Sequence, residues 1–131
     1  MRIGLRSRLG SRGALPVATL LLSLAACTPK PVTLHVQGTV QTVGSRIPIP
    51  GAKVLIQWPV TLGGGESQLT SDHDGHFVTG RTLRRRNLDC SGLTLTVQVE
   101  GFASAYDRHD DTSCGKDAVL NFTVNMLRQP G

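Results

Sequence analysis

From Thr33 onward apolar and polar residues alternate with a period of two, the spacing of strands that bury one face, and no window of helical period competes with it. Leu34, Val36, Gly38 and Val40 alternate with His35, Gln37 and Thr39 and predict a first strand. Ile47-Pro48-Ile49-Pro50-Gly51 lacks an N–H at two positions, which predicts an edge or turn segment. Ala52, Val54, Ile56 and Trp58 then predict a second strand that weakens from Pro59, with Trp58 on its core face. Gly63-Gly64-Gly65 reads as a loop tip, and Glu66 to Ser71, with Leu69 its one large apolar residue, reads as an edge strand. Asp72-His73-Asp74-Gly75 has tight-turn chemistry, so His76-Phe77-Val78 is expected to return as a hairpin partner. Arg81 to Asn87 reads as a basic loop.

Leu93, Leu95, Val97 and Val99 alternate with Thr94, Thr96 and Gln98 as the clearest strand. Gly101 ends it, Phe102 to Tyr106 is expected to run back, and Asp107 to Asp117 is a polar loop. Leu120, Phe122, Val124 and Met126 mark the last strand. About seven short strands without a helix predict an all-β fold, an antiparallel Greek-key-like β-sandwich over residues 33–127.

The chain before this region has a different character. Arg2, Arg6, Arg8 and Arg12 precede an apolar stretch from Ala14 to Ala26, which is short of the roughly 20 residues of a spanning helix. Leu24-Ala25-Ala26-Cys27 resembles the lipobox of bacterial lipoproteins, which implies a cleaved signal peptide over residues 1–26 and an acylated Cys27. Residues 27–32, with Pro29 and Pro31, then form a short extended tether. Two or more acyl chains on Cys27 would anchor the chain stably, since each buried CH₂ contributes about 0.8 kcal/mol. Thr28 stands where aspartate would signal inner-membrane retention in enterobacteria, so the expected address is the cell envelope and its outer membrane.

That boundary changes the charge. The whole chain carries +5, with 14 Lys and Arg against 9 Asp and Glu, and losing the four leading arginines leaves about +1. Nucleic acid is therefore not an expected partner. With Cys27 acylated, Cys90 and Cys114 remain as an even pair in an oxidising compartment and are expected to form a disulfide. If the last three strands form a meander, both cysteines lie at one end of the sandwich.

Four segments, Val36-Gln37-Gly38-Thr39-Val40, Ile47 to Val54, Thr70 to Phe77 and Leu95 to Phe102, together resemble the carboxypeptidase regulatory-like domain. The resemblance implies a transthyretin-like sandwich of about seven strands and a non-catalytic accessory module.

Candidate chemistry is sparse. Read as a calcium loop, Asp72-His73-Asp74-Gly75 would place Arg81 where the bidentate Glu belongs. His73 and His76 fall on opposite faces of a strand, and Asp107-Arg108-His109-Asp110-Asp111 reads as a solvated loop. An intradiol-type dioxygenase on this kind of fold needs two tyrosines and two histidines on iron, and Tyr106 is the one tyrosine; no GxSxG elbow is present. Arg81, Arg84, Arg85 and Arg86 form the one basic cluster after Cys27, either a solvated run or a surface for lipid headgroups or an acidic partner. The expectation is no enzyme, metal or cofactor. It is a membrane-anchored interaction module with an envelope protein partner, or alternatively one that binds carbohydrate or peptidoglycan.

Overall fold

The computed structural model describes residues 30–85 and 87–130. The predicted signal peptide, Cys27 and Arg86 lie outside the described residues. Seven strands form two sheets: β1 Val32–Thr42, β2 Lys53–Gln57, β3 Glu66–Thr70, β4 His76–Leu83, β5 Leu93–Gln98, β6 Ala105–His109 and β7 Val119–Met126. The three-stranded sheet has the order β4-β1-β7 and the four-stranded sheet the order β3-β2-β5-β6. The all-β sandwich expected from the alternation is therefore present.

The core is what the alternation selects. Leu34, Val36, Val40, Phe77, Leu120, Phe122, Val124 and Met126 of one sheet face Val54, Ile56, Leu93, Leu95 and Val97 of the other, all buried. Trp58 is buried as predicted, and its Nε1–H donates to Ser67 Oγ at 2.9 Å, which satisfies the one polar group of the indole. Gly38 sits mid-strand because its neighbours leave no room: the Phe77 ring and the Phe122 carbonyl occupy the space a Cβ would take.

Pairing differs from expectation in three places. β3 and β4 are not a hairpin, because β4 pairs with β1, and the Asp72–Gly75 turn carries the chain from one sheet to the other. The turn chemistry is as read: Gly75 N–H donates to Asp72 O, and Asp72 N–H to His76 O. What decides the arch is burial, since Phe77 must reach the core from the opposite layer. The last strand does not continue a meander either; β7 lies parallel to β1, with Val36 opposite Leu120 and Val40 opposite Val124. Finally, Arg81 to Leu83 are strand rather than loop, and β6 extends through Asp107, Arg108 and His109.

The Cys90–Cys114 disulfide is formed, with Cα atoms 5.2 Å apart. Because Cys90 precedes β5 and Cys114 precedes β7, the bridge links the segments that enter the two sheets.

Candidate functional site

The parallel β1–β7 pair builds a surface that the separate strands do not display. Gln37 lies opposite Asn121, Thr39 opposite Thr123, and Gln41 opposite Asn125, all on the face turned away from the core. Gln37 Nε2 donates to Asn121 Oδ1 at 2.7 Å and Gln41 Nε2 to Asn125 Oδ1 at 3.0 Å. Each pair uses one donor and one acceptor, so each still offers a carbonyl and N–H groups to a ligand. β4 adds His76, Val78, Gly80 and Thr82 to this face, and the remaining outward positions of β1 are Thr33 and His35. No Asp, Glu, Lys or Arg stands on it.

Two shallow depressions lie over this face. One of about 650 Å³ is lined by Gln37, Thr39, Asp72, His76, Asn121 and Thr123 among others. The other, about 570 Å³, shares Thr123 and passes Gln41 and Asn125 to Arg46. The two share Thr123 and together form a trough beside the β1–β7 seam, with Asp72 lining the first and Arg46 the second. The four-stranded sheet is different outside, carrying Lys53, Glu66 and Arg108 in register positions beside Gln98, Gln57 and Thr94.

The Asp72 turn closes on itself. Asp72 Oδ1 accepts N–H groups of Asp74 and His76, each at 2.9 Å, and those bonds hold its carboxyl below the usual carboxylate range, the His76 N–H contributing most. Asp72, Asp74 and His76 each bring a ligand-type atom within 4.8 Å of the others, but all three are exposed, and Asp72 is already committed to the turn. In the second acidic segment, Arg108 Nε meets Asp110 Oδ1 at 2.7 Å, and His109 Nε2 lies 2.6 Å from Ser113 O.

The arginine cluster is divided. Arg81, half-buried on β4, donates through Nη1 to the carbonyls of Leu62 and Gly64 at 3.0 and 2.6 Å, and its guanidinium lies 4.4 Å from the Trp58 ring centroid. It fastens the three-stranded sheet to the β2–β3 loop, a role hidden in the sequence because the partners are backbone carbonyls. Arg84 and Arg85 follow the end of β4 and are exposed, with Arg85 Nη1 donating to Thr61 O at 2.7 Å.

No protein-family model and no curated sequence matches the chain. Among solved structures it is similar to catechol 1,2-dioxygenase of Acinetobacter radioresistens, with a TM-score of 0.56, 14% identity, 77% of this chain covered and 53% of that one. It is similar also to chlorocatechol 1,2-dioxygenase from Pseudomonas putida, with a TM-score of 0.54, 12% identity, and 78% and 62% of the two chains covered. The TIE protein of Bacillus anthracis has a TM-score of 0.50 at 13% identity, over 74% of this chain and 17% of that one. The chain thus spans about half the length of the Acinetobacter enzyme, and identities at this level carry the fold alone.

The likeness corrects one expectation. The two-sheet scaffold is shared with enzymes, so the reading of the chain as no enzyme does not stand. The iron centre named above is a separate matter, and the residues present do not fit it. The sole tyrosine, Tyr106, points outward from the four-stranded sheet, 65% exposed. His35 and His76 stand on the other sheet, and His109, three residues along β6, falls on the opposite face of that strand.

Proposed function

We propose that the chain is a lipid-anchored protein of the bacterial cell envelope, held by an acylated Cys27, whose sandwich is an interaction module related to the carboxypeptidase regulatory-like domain. The trough of the three-stranded sheet is its recognition face. The observation that carries this reading is the contrast between the two outer faces: one bears Lys53, Glu66 and Arg108 on its strands, while the strands of the other bear only carboxamides, hydroxyls, imidazoles and small or apolar groups, with Asp72 and Arg46 confined to the loops that border its depressions. A face without formal charge loses little on desolvation, and its amides can be satisfied by a partner's backbone or hydroxyl groups. The partner is an envelope protein.

The test is photocrosslinking in living cells from a reactive residue placed at Thr123, with Gln98 on the opposite outer face as the control. One identified protein should crosslink from position 123 and not from 98, and Gln37→Glu should abolish it. Crosslinks from 98 alone refute the assignment of the face. The carboxamide rows also favour a second reading, a neutral glycan or peptidoglycan strand as ligand; sedimentation with insoluble peptidoglycan, lost on Asn121→Asp, would replace the protein partner with that one.

A further inference from the structure

The fold places the exposed arginines at the end of the sandwich where the chain enters it. Val32, the first residue of β1, is opposite Leu83, the last residue of β4, so Arg84 lies one residue beyond the entry point. Arg85 donates to Thr61 O, which brings it to the 3₁₀ turn Val60–Leu62. In that turn Val60 is 86% exposed, the most exposed large apolar residue of those described. Thr61 Oγ1 also donates to Asp89 O at 2.9 Å, which ties the turn to the segment that follows the arginines. One corner thus joins the exposed Arg84 and Arg85 side chains to a projecting isopropyl group.

The acidic side chains toward this end are mostly held in hydrogen bonds or an ion pair of their own. Asp89 Oδ1 accepts from the N–H and hydroxyl of Ser91, which lowers its pKa. Asp110 pairs with Arg108, and Asp111 accepts from Ser113 N–H. Glu66 accepts from Gln57, and Asp117 follows Lys116 in sequence.

We infer that this corner, Arg84, Arg85 and Val60, docks on an anionic lipid surface and sets the orientation of the domain on its membrane. The inference rests on the proposed acylation of Cys27. Five Cα–Cα steps separate Cys27 from Val32, so whatever path the tether takes, the entry point lies within roughly 18 Å of the lipidated residue. That reach is about twice the Debye length, so the tether lets the basic side chains come within it, while an apolar tip can enter the interface. Arg86, outside the described residues, continues the basic run in sequence. Docking at this corner leaves the Asp72–Gly75 turn at the far end of the sandwich, because β4 runs from that turn to the arginines.

The test uses the acylated full chain in vesicles of phosphatidylcholine alone or with one-third phosphatidylglycerol. A fluorophore is placed through Val60→Cys or, at the far end, Asp74→Cys, and quenching by a lipid-borne quencher is measured. Position 60 should be quenched more strongly on the anionic vesicles, and position 74 weakly on both. Arg84→Glu with Arg85→Glu should remove the anionic increment, each arginine shifting the docked-to-undocked ratio about fivefold. Equal quenching at 60 and 74, or no response to phosphatidylglycerol, overturns the docking while leaving the anchor intact. A chain that takes up no acyl label and stays off the vesicles overturns the anchor and the docking together.

Discussion

Gly38→Ala tests the packing that supports the proposed recognition face. Gly38 is central in β1, opposite both Phe77 of β4 and Phe122 of β7. A methyl group there would stand 2.6 Å from Phe77 Cζ and 2.9 Å from Cε1, about 1 Å inside the optimal carbon–carbon separation. It would also overlap the backbone oxygen of Phe122. The ring is buried and can turn only by displacing core neighbours; the oxygen belongs to the paired strand and moves only with the β1–β7 ladder. Overpacking of this kind costs typically 1–3 kcal/mol, and the involvement of backbone argues for the upper part of that range or beyond. Restricting the unfolded chain returns roughly 0.5–1 kcal/mol.

The expected net loss is about 2–3 kcal/mol, a lowering of Tm by roughly 10–20 °C for a domain of this size. Thermal unfolding followed by far-ultraviolet circular dichroism reads it. Phe77→Leu combined with Gly38→Ala should recover only part of the loss, because the Phe122 oxygen remains in the way. A Gly38→Ala protein melting within about 3 °C of wild type would refute the reasoning, since the strands would then separate at almost no cost.

Removing the Arg81 side chain by Arg81→Ala should cost about 2 kcal/mol, since two charge-assisted hydrogen bonds and a stacked cation are lost together; urea unfolding with Trp58 fluorescence as the probe measures it, and a midpoint equal to wild type sinks the assignment. Cys90→Ala with Cys114→Ala opens a loop spanning 24 residues of sequence and should destabilise by about 3.5 kcal/mol, read as a calorimetric Tm lower by roughly 14–28 °C. The Asp72 carboxyl has a lowered pKa in the folded chain, so its contribution is full above the ordinary value of 3.8 and is lost as pH falls below it. The Tm difference between wild type and Asp72→Ala should therefore be constant near neutrality and shrink below pH 3.8; a difference that grows there contradicts the hydrogen bonds assigned to this turn.

How much of this was legible in the sequence follows from which interactions are local. β1, β2, β5 and β7 bury one face each, and strict alternation of Leu34 to Val40, Val54 to Trp58, Leu93 to Val97 and Leu120 to Met126 exposes them at once. The expected return strand, Phe102 to Tyr106, lies three residues before the observed β6 because Asp107 and Arg108 make an edge strand polar on both faces, and the end of β4 reads as loop because Thr79 and Arg81 alternate with exposed residues at the sandwich margin, where burial is incomplete. The Asp72–Gly75 turn has the same chemistry whether it joins strands within a sheet or between sheets, so only the core demand on Phe77 separates arch from hairpin.

The proposed recognition face lies further out of reach for the same reason. Gln37 and Asn121 are 84 positions apart, and their side chains meet only because β7 returns parallel to β1 in one register. A slip of one residue in that pairing would turn Leu120, Phe122 and Val124 outward and Asn121 and Thr123 into the core, so the hydrophobic pattern that secures the fold also holds the amide rows in line. The trough and the core are two consequences of one register. A ligand on the outer face therefore meets a surface whose geometry is set by apolar residues it never touches, and Gly38, which lines the trough as well as admitting the Phe77 ring, is where the two are coupled most closely.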